Sequence, residues 1–264
     1  MNWTDSASLT PIDEHSFTAH VGEEWSSLKG VHGGVVAALV VEAASTMLCN
    51  EGVDGSTRLR VATFAYVSGN EVGASTIDVD VIRRGRSMVS TEARVRRDGE
   101  ITTVARMHHS TPRHGLEFSD LEPLPAKPAK AVRFSAPPVS HLANVETHFH
   151  PDTTLHAGAD RAEWLAWCRP LDTDTFDPTW LTMLGDYFPP AVFVRTEAPS
   201  LAVTIEYAIQ FHTDDDAWTL GEDEYVATQM HTFHSHAGFA VEDGRLQLPD
   251  GTLLATVRQT RLAG

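Results

Sequence analysis

Cysteine is scarce in this sequence: Cys49 and Cys168 are the only two among 264 residues. So few thiols, far apart in the chain, exclude a disulfide framework and a metal site built from several cysteines. Basic residues are also in short supply, because 20 lysines and arginines face 36 aspartates and glutamates, which leaves a formal net charge of −16. A chain of this charge repels polyanions, so we expect no general binding to nucleic acid.

Long hydrophobic runs are missing as well. No apolar stretch approaches the roughly 20 residues that are needed to span a bilayer, and residues 1–16 contain neither the basic nor the apolar region of a signal peptide. We therefore expect a cytoplasmic protein with no membrane partner. The 42% hydrophobic and 21% charged residues are typical of a globular protein with a substantial core.

A proline-rich segment, residues 114–140, divides the chain nearly in half. It contains five of the 14 prolines and shows no sustained periodicity, which is the composition of a connecting segment. The sequence therefore predicts a first unit over residues 1–113, a linker over 114–140 and a second unit over 141–264.

The first half contains a glycine corner, GVHGG, that leads into an apolar run typical of a buried helix ending near Cys49. Two glycines at a helix start allow another group to approach the exposed backbone N–H groups closely, although a tight turn also explains them. Alternating segments follow between residues 58 and 109, and Asp98-Gly99 predicts a hairpin turn between the last two. The pattern predicts one helix followed by antiparallel strands.

The second half repeats this order. An apolar helix candidate spans residues 178–193, where Pro189-Pro190 must end or distort the helix. Alternating segments follow, and Asp250-Gly251 occupies the place that Asp98-Gly99 has in the first half. The sequence order therefore predicts two copies of one unit, each a helix with an antiparallel sheet.

The two copies can be aligned with each other. Counting from the two Asp-Gly pairs places Met107 of the first half at the position of Gln259 in the second. The strand segments that contain Thr63 and Thr204 also correspond. A thioether cannot hold a water molecule as an amide does, so the first half lacks a polar group that the second half has.

Five short motifs occur along the chain in a specific order, namely GVHGG at 30–34, RRGRS at 83–87, LGD at 184–186, TIEYAIQFH at 204–212 and DGTLLATVRQ at 250–259. In these motifs the chain resembles the acyl-CoA thioesterase II type of tandem hotdog thioesterases. The resemblance covers most of the chain outside the linker. It implies an α+β double hotdog fold, in which two tandem units each wrap a curved antiparallel sheet around a long helix. It also implies hydrolysis of acyl-CoA without a cofactor or a metal.

The resemblance further implies a catalytic trio, with Asp186 on the second helix, Thr204 at the start of the following strand and Gln259 near the end of the last strand. These residue types suit thioester hydrolysis, because a carboxylate can take a proton from water while an amide and a hydroxyl hold that water in place. Each residue alone also has an ordinary structural explanation, and their joint order favours the catalytic one. Since Met107 replaces the glutamine in the first half, we expect one working site per chain.

The substrate is expected to be bound by the first half. By analogy with hotdog enzymes, Gly33 and Gly34, which follow His32, can present backbone N–H groups to the thioester carbonyl. Arg84 and Arg86 can meet the phosphates of CoA, although a solvated hairpin face explains these arginines equally well. The sequence leaves open whether the glycine corner and the catalytic aspartate share one pocket.

Other functions stay open at this stage. A catalytically silent acyl-CoA-binding protein would keep the glycine corner and an apolar groove without needing an intact trio. A hotdog hydratase carries Gly-Asp followed by Asn-Pro and a histidine, and GDYFPPAVF at 185–193 lacks that histidine. The histidines of MHTFHSH do not share one face of a strand, so we expect no metal site there. The sequence does not determine the acyl chain length, the thiol carrier or whether the chains form a homo-oligomer.

Overall fold

A computed structural model gives the architecture of residues 7–134, 139–171 and 173–264. Its helices are α1 (Gly33–Asn50), α2 (Pro178–Tyr187) and α3 (Val192–Arg195), with short 3-10 turns at Glu23–Trp25 and Ser140–Ala143. The strands before the linker are β1 (Ala7–Pro11), β2 (Ser16–Val21), β3 (Ser26–Ser27), β4 (Gly30–Val31), β5 (Arg58–Tyr66), β6 (Gly73–Arg84), β7 (Met88–Arg97) and β8 (Glu100–Ser110). The strands from the linker onward are β9 (Val132–Arg133), β10 (Val145–Phe149), β11 (Glu163–Pro170), β12 (Thr175–Phe176), β13 (Ala202–Phe211), β14 (Trp218–Thr219), β15 (Val226–His236), β16 (Phe239–Gln247) and β17 (Leu253–Ala263).

One 13-stranded sheet has the order β1-β2-β6-β7-β8-β5-β13-β17-β16-β15-β11-β10-β9. Strands β5 and β13 pair with each other in its middle, antiparallel. From this pair, the order β8-β7-β6-β2-β1 in one direction matches β17-β16-β15-β11-β10 in the other. The sheet is therefore built from two equivalent halves joined through one pair of strands, which confirms the α+β double hotdog fold.

The two longer helices pack against each other and against the sheet, α1 over strands of the first half and α2 over strands of the second. Contrary to the expectation that no apolar stretch approaches a membrane-spanning length, α1 is, by length and hydropathy, the one helix in the described part of the chain that could cross a membrane. However, 67% of it is buried inside the protein. Its central position accounts for its apolar composition, because a helix surrounded by other elements is hydrophobic on nearly every side.

The predicted hairpin turn between β7 and β8 is confirmed. Asp98 and Gly99 adopt φ angles of +51° and +85° and join two paired strands. A two-residue hairpin loop needs positive φ at both central residues, which an Asp-Gly pair accepts. The corresponding Gly251 also has a positive φ, of +91°, in the longer loop between β16 and β17.

Helix α2 ends where its sequence predicts. It begins after Asp177, whose carboxylate accepts a hydrogen bond from the Trp180 backbone N–H at 2.9 Å and so caps the helix. It ends at Tyr187, because Phe188 precedes a proline and adopts an extended conformation. The double proline thus separates α2 from the short α3.

Some elements are not apparent from the sequence pattern. Four such strands flank the predicted strands of each half, namely β1, β2, β10 and β11. They are short, or their buried and exposed residues do not alternate regularly. On β11, Trp164 and Trp167 are only 2% and 1% exposed. The linker contains β9, which pairs with β10 at the edge of the sheet, and its residues 135–138 lie outside the described part of the chain. The boundaries of the two units stay a prediction.

The central strands of both halves contain matching irregularities. The pairing of β5 with β8 shifts by one residue between Leu59 and Val61, and the pairing of β13 with β17 shifts between Thr204 and Glu206. Each shift is a β-bulge, which adds one unpaired residue to its strand. When the two bulges are superposed, Thr204 coincides with Leu59.

The alignment of Thr204 with Thr63 is therefore wrong. Thr63 pairs directly with Ala208 across the junction of the two halves. Its hydroxyl donates to the Arg106 carbonyl at 3.4 Å, and it lies between two fully buried inward residues, so it points to the opposite face of the sheet. The sequences resemble each other here, but the residue equivalent to Thr204 in the sheet lies four positions before Thr63.

The alignment of Gln259 with Met107 is confirmed by the same register. Arg261, two residues after Gln259, lies opposite Thr204, which directly precedes the bulge of β13, and His109, two residues after Met107, lies opposite Leu59, which directly precedes the bulge of β5. Met107 is fully buried. The first half therefore has a thioether where the second half has an amide.

Candidate active site

Asp186, Thr204 and Gln259 meet at one point. Asp186 lies in the last turn of α2, and the Thr204 hydroxyl at the start of β13 donates to its Oδ1 at 3.0 Å. Gln259 on the adjacent strand β17 brings its Oε1 to 3.1 Å from the same hydroxyl oxygen. Asp186 is 4% exposed and Gln259 is 1% exposed. The structure therefore brings all three predicted catalytic side chains together in a site with little access to bulk water.

The side-chain amide of Gln259 has a fixed orientation. Its Nε2 donates to the Gly185 carbonyl at 2.9 Å, which turns Oε1 toward Thr204. The hydroxyl has one proton and cannot donate it fully to both Asp186 and Gln259. At least one acceptor oxygen therefore remains available to another donor, and a water molecule, which has two protons, matches this requirement.

A buried ion pair borders these three residues. Arg261, 4% exposed, donates from Nη1 to Thr204 Oγ1 at 2.7 Å and from Nε and Nη2 to Glu242 Oε1 at 3.2 and 2.9 Å. Its Nη2 also lies 3.7 Å from Asp186 Oδ1. Glu242, 1% exposed, accepts through Oε2 from the Thr232 hydroxyl at 3.2 Å and from the backbone N–H that precedes α3. Both charges of the pair are thus compensated by hydrogen bonds.

Neither Arg261 nor Glu242 belongs to the residues predicted from the sequence to form the site. Arg261 follows Gln259 by two residues on one strand, and this spacing places both side chains on the same face. That spacing is a signal that could have identified it. Glu242 lies opposite Gln259 on strand β16, a relation that depends on strand register and has no local signature.

Burial raises the pKa of Asp186 above its usual value of 3.8. The positive charge of Arg261 is the largest opposing influence, followed by the hydrogen bond from Thr204, and the backbone N–H of Gly34 also favours the ionised form. The carboxylate is therefore a stronger base than an exposed aspartate and still has partners that stabilise its charge.

The glycine corner lies directly against Asp186. A Cβ atom on Gly33 would lie 2.8 Å from Asp186 Oδ2, and one on Gly34 would lie 2.5 Å from the Met183 carbonyl oxygen of α2. Only residues without a Cβ allow α1 to begin this close to α2. The start of α1 in the first half and Asp186 in the second half therefore form one site.

The first N–H groups of α1 differ in whether the cap residue accepts from them. The His32 ring Nδ1 accepts from the Gly34 N–H at 3.1 Å, and the His32 carbonyl accepts from Val35 and Val36 at 3.2 and 3.4 Å. Among the described residues, no acceptor takes the N–H of Gly33. This N–H stands at the positive end of an 18-residue helix, where negative charge is favoured.

His32 is stacked on His141, with ring centroids 4.2 Å apart. Burial lowers the pKa of both imidazoles to about 3, so both rings are neutral near neutral pH. Because Nδ1 of His32 accepts a hydrogen bond, its proton is assigned to Nε2. His32 thus shapes the start of α1 and does not carry a charge into the site.

The predicted CoA-binding arginines lie elsewhere. Arg84, at the end of β6, forms an ion pair with Glu51, the residue that follows α1. An 18-residue helix is about 27 Å long, so Arg84 lies near the opposite end of α1 from Gly33. Arg86 is exposed in the adjoining turn. The structure does not bring these two residues to Asp186, and their contact with a substrate stays a prediction.

Several solved structures with the same fold match nearly the whole length of this chain. A protein of unknown function with a hot dog fold from Alicyclobacillus acidocaldarius has 21% identity and a TM-score of 0.86, covering 99% of this chain and 97% of its own. An acyl-CoA thioesterase II from Mycobacterium marinum has 17% identity and a TM-score of 0.77, covering 100% and 98%. A 12:0-ACP thioesterase from Umbellularia californica has 11% identity and a TM-score of 0.54, covering 94% of both chains. At these identities the likeness shows the shared fold alone.

Two family models match the sequence in tandem. Residues 21–110 match the acyl-CoA thioesterase N-terminal domain, and residues 118–263 match the acyl-CoA thioesterase C-terminal domain. No curated protein sequence matches the chain. The C-terminal model alone covers more than half of the residues, and the two models occur in the order that the double hotdog fold requires. This chain therefore belongs to the acyl-CoA thioesterase family.

Proposed function

We propose that this protein hydrolyses an acyl-CoA thioester to a free acid and CoA at the site formed by Asp186, Thr204 and Gln259. The observation that carries the proposal is the convergence of these three side chains on one hydroxyl oxygen, at 3.0 and 3.1 Å, beside the start of α1. Family membership supports thioester hydrolysis as the class of reaction. Acyl-CoA is accordingly the proposed partner.

Water is the proposed nucleophile. The acceptor oxygens of Asp186 and Gln259 are oriented by Thr204 and by the Gly185 carbonyl, so they can hold the two protons of one water molecule. As the water oxygen bonds to the thioester carbonyl carbon, one of its protons passes to Asp186. Burial, which raises the pKa of Asp186, suits this carboxylate to the role of general base.

The carbonyl oxygen becomes negative when water adds, and it needs a hydrogen-bond donor at that moment. We assign this role to the Gly33 N–H, where the dipole of α1 also favours negative charge. When the tetrahedral intermediate collapses, the carbon–sulfur bond breaks and the thiolate leaves with the electron pair. The thiolate then takes the proton held by Asp186, which returns to its ionised form. The products are the carboxylic acid and the CoA thiol.

The purified protein is expected to release free thiol from at least one acyl-CoA in a series from acetyl-CoA to stearoyl-CoA, without added metal or nucleotide. The same acyl groups on an acyl carrier protein identify the preferred thiol carrier. Activity that is lost on addition of a chelator would contradict a metal-free reaction. Acyl-CoA binding measured by calorimetry without turnover of any chain length would instead indicate a silent acyl-binding protein, and hydration of an enoyl-CoA would indicate a hydratase.

Two threonine variants test whether the chain has one working site. Thr204→Ala removes the hydroxyl that orients Asp186 and Gln259, so kcat for thiol release is expected to fall by about tenfold or more. Thr63→Ala changes a residue on the opposite face of the sheet and is expected to leave kcat within about threefold. Equal losses in the two variants would contradict a single site, and so would binding of two equivalents of a slowly hydrolysed acyl-CoA analogue per chain.

A further inference from the structure

The ion pair of Arg261 and Glu242 has a counterpart in the first half. Glu242 lies opposite the catalytic glutamine between β16 and β17, and Thr91 lies opposite the methionine that replaces this glutamine between β7 and β8. His109 occupies the position of Arg261, because each lies opposite the residue that directly precedes the bulge of its half. The first half thus has Thr91 and His109 where the second half has Glu242 and Arg261.

The counterpart pair is neutral and unsatisfied. Thr91 is 0% exposed and His109 is 4% exposed. In the described part of the chain, neither the Thr91 hydroxyl nor either ring nitrogen of His109 has a hydrogen-bond partner. Burial lowers the pKa of His109 to about 4, so its ring is uncharged near neutral pH. The fold therefore accepts two uncharged side chains at these positions.

Burying two charges at the same positions requires a reason beyond folding. Transfer of an ion pair from water into the interior carries a desolvation penalty that its mutual attraction does not always recover. The charged pair occurs in the half that contains Asp186 and Thr204, and Arg261 directs one N–H at Thr204 and another nitrogen toward Asp186, 3.7 Å away. The neutral pair occurs in the half where leucine and methionine replace the threonine and the glutamine. The buried charges therefore occur in the half that contains the candidate site, and the uncharged pair occurs in the half that lacks it.

We propose that Arg261, oriented by Glu242, is a positioning residue for the hydrolysis, an inference that rests on the proposed function. A guanidinium only donates hydrogen bonds, so at 2.7 Å it occupies a lone pair of the Thr204 hydroxyl and leaves the hydroxyl proton for Asp186 or Gln259. Its positive charge also favours the ionised form of Asp186, which is the form that can take a proton from water. Arg261 acts through these side chains and is not assigned a contact with the substrate.

The other ionisable groups that surround Asp186 are uncharged near neutral pH. Burial lowers the pKa of the two histidines to about 3 and raises the pKa of the two tyrosines far above the usual range; these residues are His32, Tyr66, His141 and Tyr207. In the described part of the chain, the charged side chain that forms an ion pair with the carboxylate is Arg261 on β17, whose other ion-pair partner is Glu242 on β16. Arg261 is therefore the cation through which the pKa of Asp186 is held down.

The test transplants the first-half pair into the second half, as Glu242→Thr/Arg261→His. Loss of the nearby positive charge should raise the pKa of Asp186, so the acidic limb of the kcat profile is expected to move to higher pH by about one unit or more. Arg261→Lys keeps the charge but not the forked geometry, and it is expected to lower kcat while leaving the limb within about half a unit of its original place. If the double variant does not fold, Arg261→Gln, which keeps a donor without the charge, is expected to show the same upward movement.

Thr91→Val is the matched control, because it changes a buried polar group at the equivalent position, away from Asp186. It is expected to leave the pH profile unchanged. A folded double variant whose acidic limb coincides with that of the original protein overturns the inference. The inference is also overturned if the acidic limb moves as far in Thr91→Val as in the double variant. Altered packing, and not the loss of the Arg261 charge, would then explain the movement.

Isotope-edited infrared spectroscopy of aspartate carboxyl groups measures the pKa of Asp186 without turnover, with Asp186→Asn identifying its band. A higher pKa in the charge-free variant supports the role of Arg261 even if the original protein hydrolyses no acyl-CoA, and in that case only the proposed reaction fails. An unchanged pKa overturns the inference whatever the activity.

Discussion

Asp186→Asn is expected to lower kcat for acyl-CoA hydrolysis by roughly 10² or more, with little change in KM. The amide has nearly the size of the carboxylate and can still face the Thr204 hydroxyl, but it cannot take a proton from water. The loss should therefore fall on the chemical step and leave substrate binding largely intact. Steady-state thiol release from the preferred acyl-CoA measures both constants.

Asp177 provides a matched control at the other end of the same helix. Its carboxylate caps α2 by accepting from the Trp180 N–H at 2.9 Å, and asparagine caps a helix about as well as aspartate. Asp177→Asn should leave kcat within about threefold. Unchanged turnover in a folded Asp186→Asn protein would show that Asp186 is not the general base.

Gly33→Ala is expected to lower kcat by about 10²-fold, because a displacement of a reacting group by about 1 Å is enough for such a loss. Alanine suits a helical backbone, so the substitution should not destabilise α1 by its own conformational preference. The added methyl group would lie 2.8 Å from Asp186 Oδ2 and 3.0 Å from the Tyr66 ring, so one of these groups must move. Kinetics at constant pH, with the melting temperature measured in parallel, separate this effect from unfolding.

Gly55→Ala is the control for that substitution, since a Cβ atom there meets no other atom within 4 Å. It is expected to leave both kcat and the melting temperature close to their original values. A Gly33→Ala variant with full activity would show that the start of α1 takes no part in the reacting site.

Elements with local causes could be predicted from the sequence. The hairpin at Asp98-Gly99 needs only two residues that accept positive φ, and the end of α2 needs only a proline after Phe188. The tandem architecture follows from the repeated order of such elements. The trio proposed to be catalytic followed from the family resemblance, and the structure adds that one hydroxyl oxygen, on Thr204, joins its members.

Strand register could not be predicted in the same way. A bulge adds one residue to a strand without any local signature, and it changes which residues lie opposite one another in the rest of the strand. Similarity of sequence alone aligns Thr204 with Thr63, whereas the positions of the two bulges make Leu59 the equivalent of Thr204. The ion pair of Glu242 and Arg261 could not be predicted for the same reason, because its two residues meet only through the pairing of β16 with β17.

Which backbone N–H is available to the substrate also depended on the structure. The motif offers both Gly33 and Gly34, and the sequence treats them alike. The orientation of the His32 ring distinguishes them, because its Nδ1 accepts from the Gly34 N–H, whereas no acceptor among the described residues takes the Gly33 N–H. A ring orientation of this kind depends on the surrounding core, including the stacked His141.

The pairing of β5 with β13 joins the two halves within one chain. In an assembly of two identical chains, every substitution would appear twice, once on each side of the symmetry axis. A single chain that contains both halves is free of that constraint, so one half can hold the uncharged His109 while the other holds the charged Arg261. The fusion also makes the encounter of the glycine corner with Asp186 intramolecular, so dilution does not separate them. The same covalent connection therefore allows the two halves to differ in sequence and keeps the two parts of the candidate active site together.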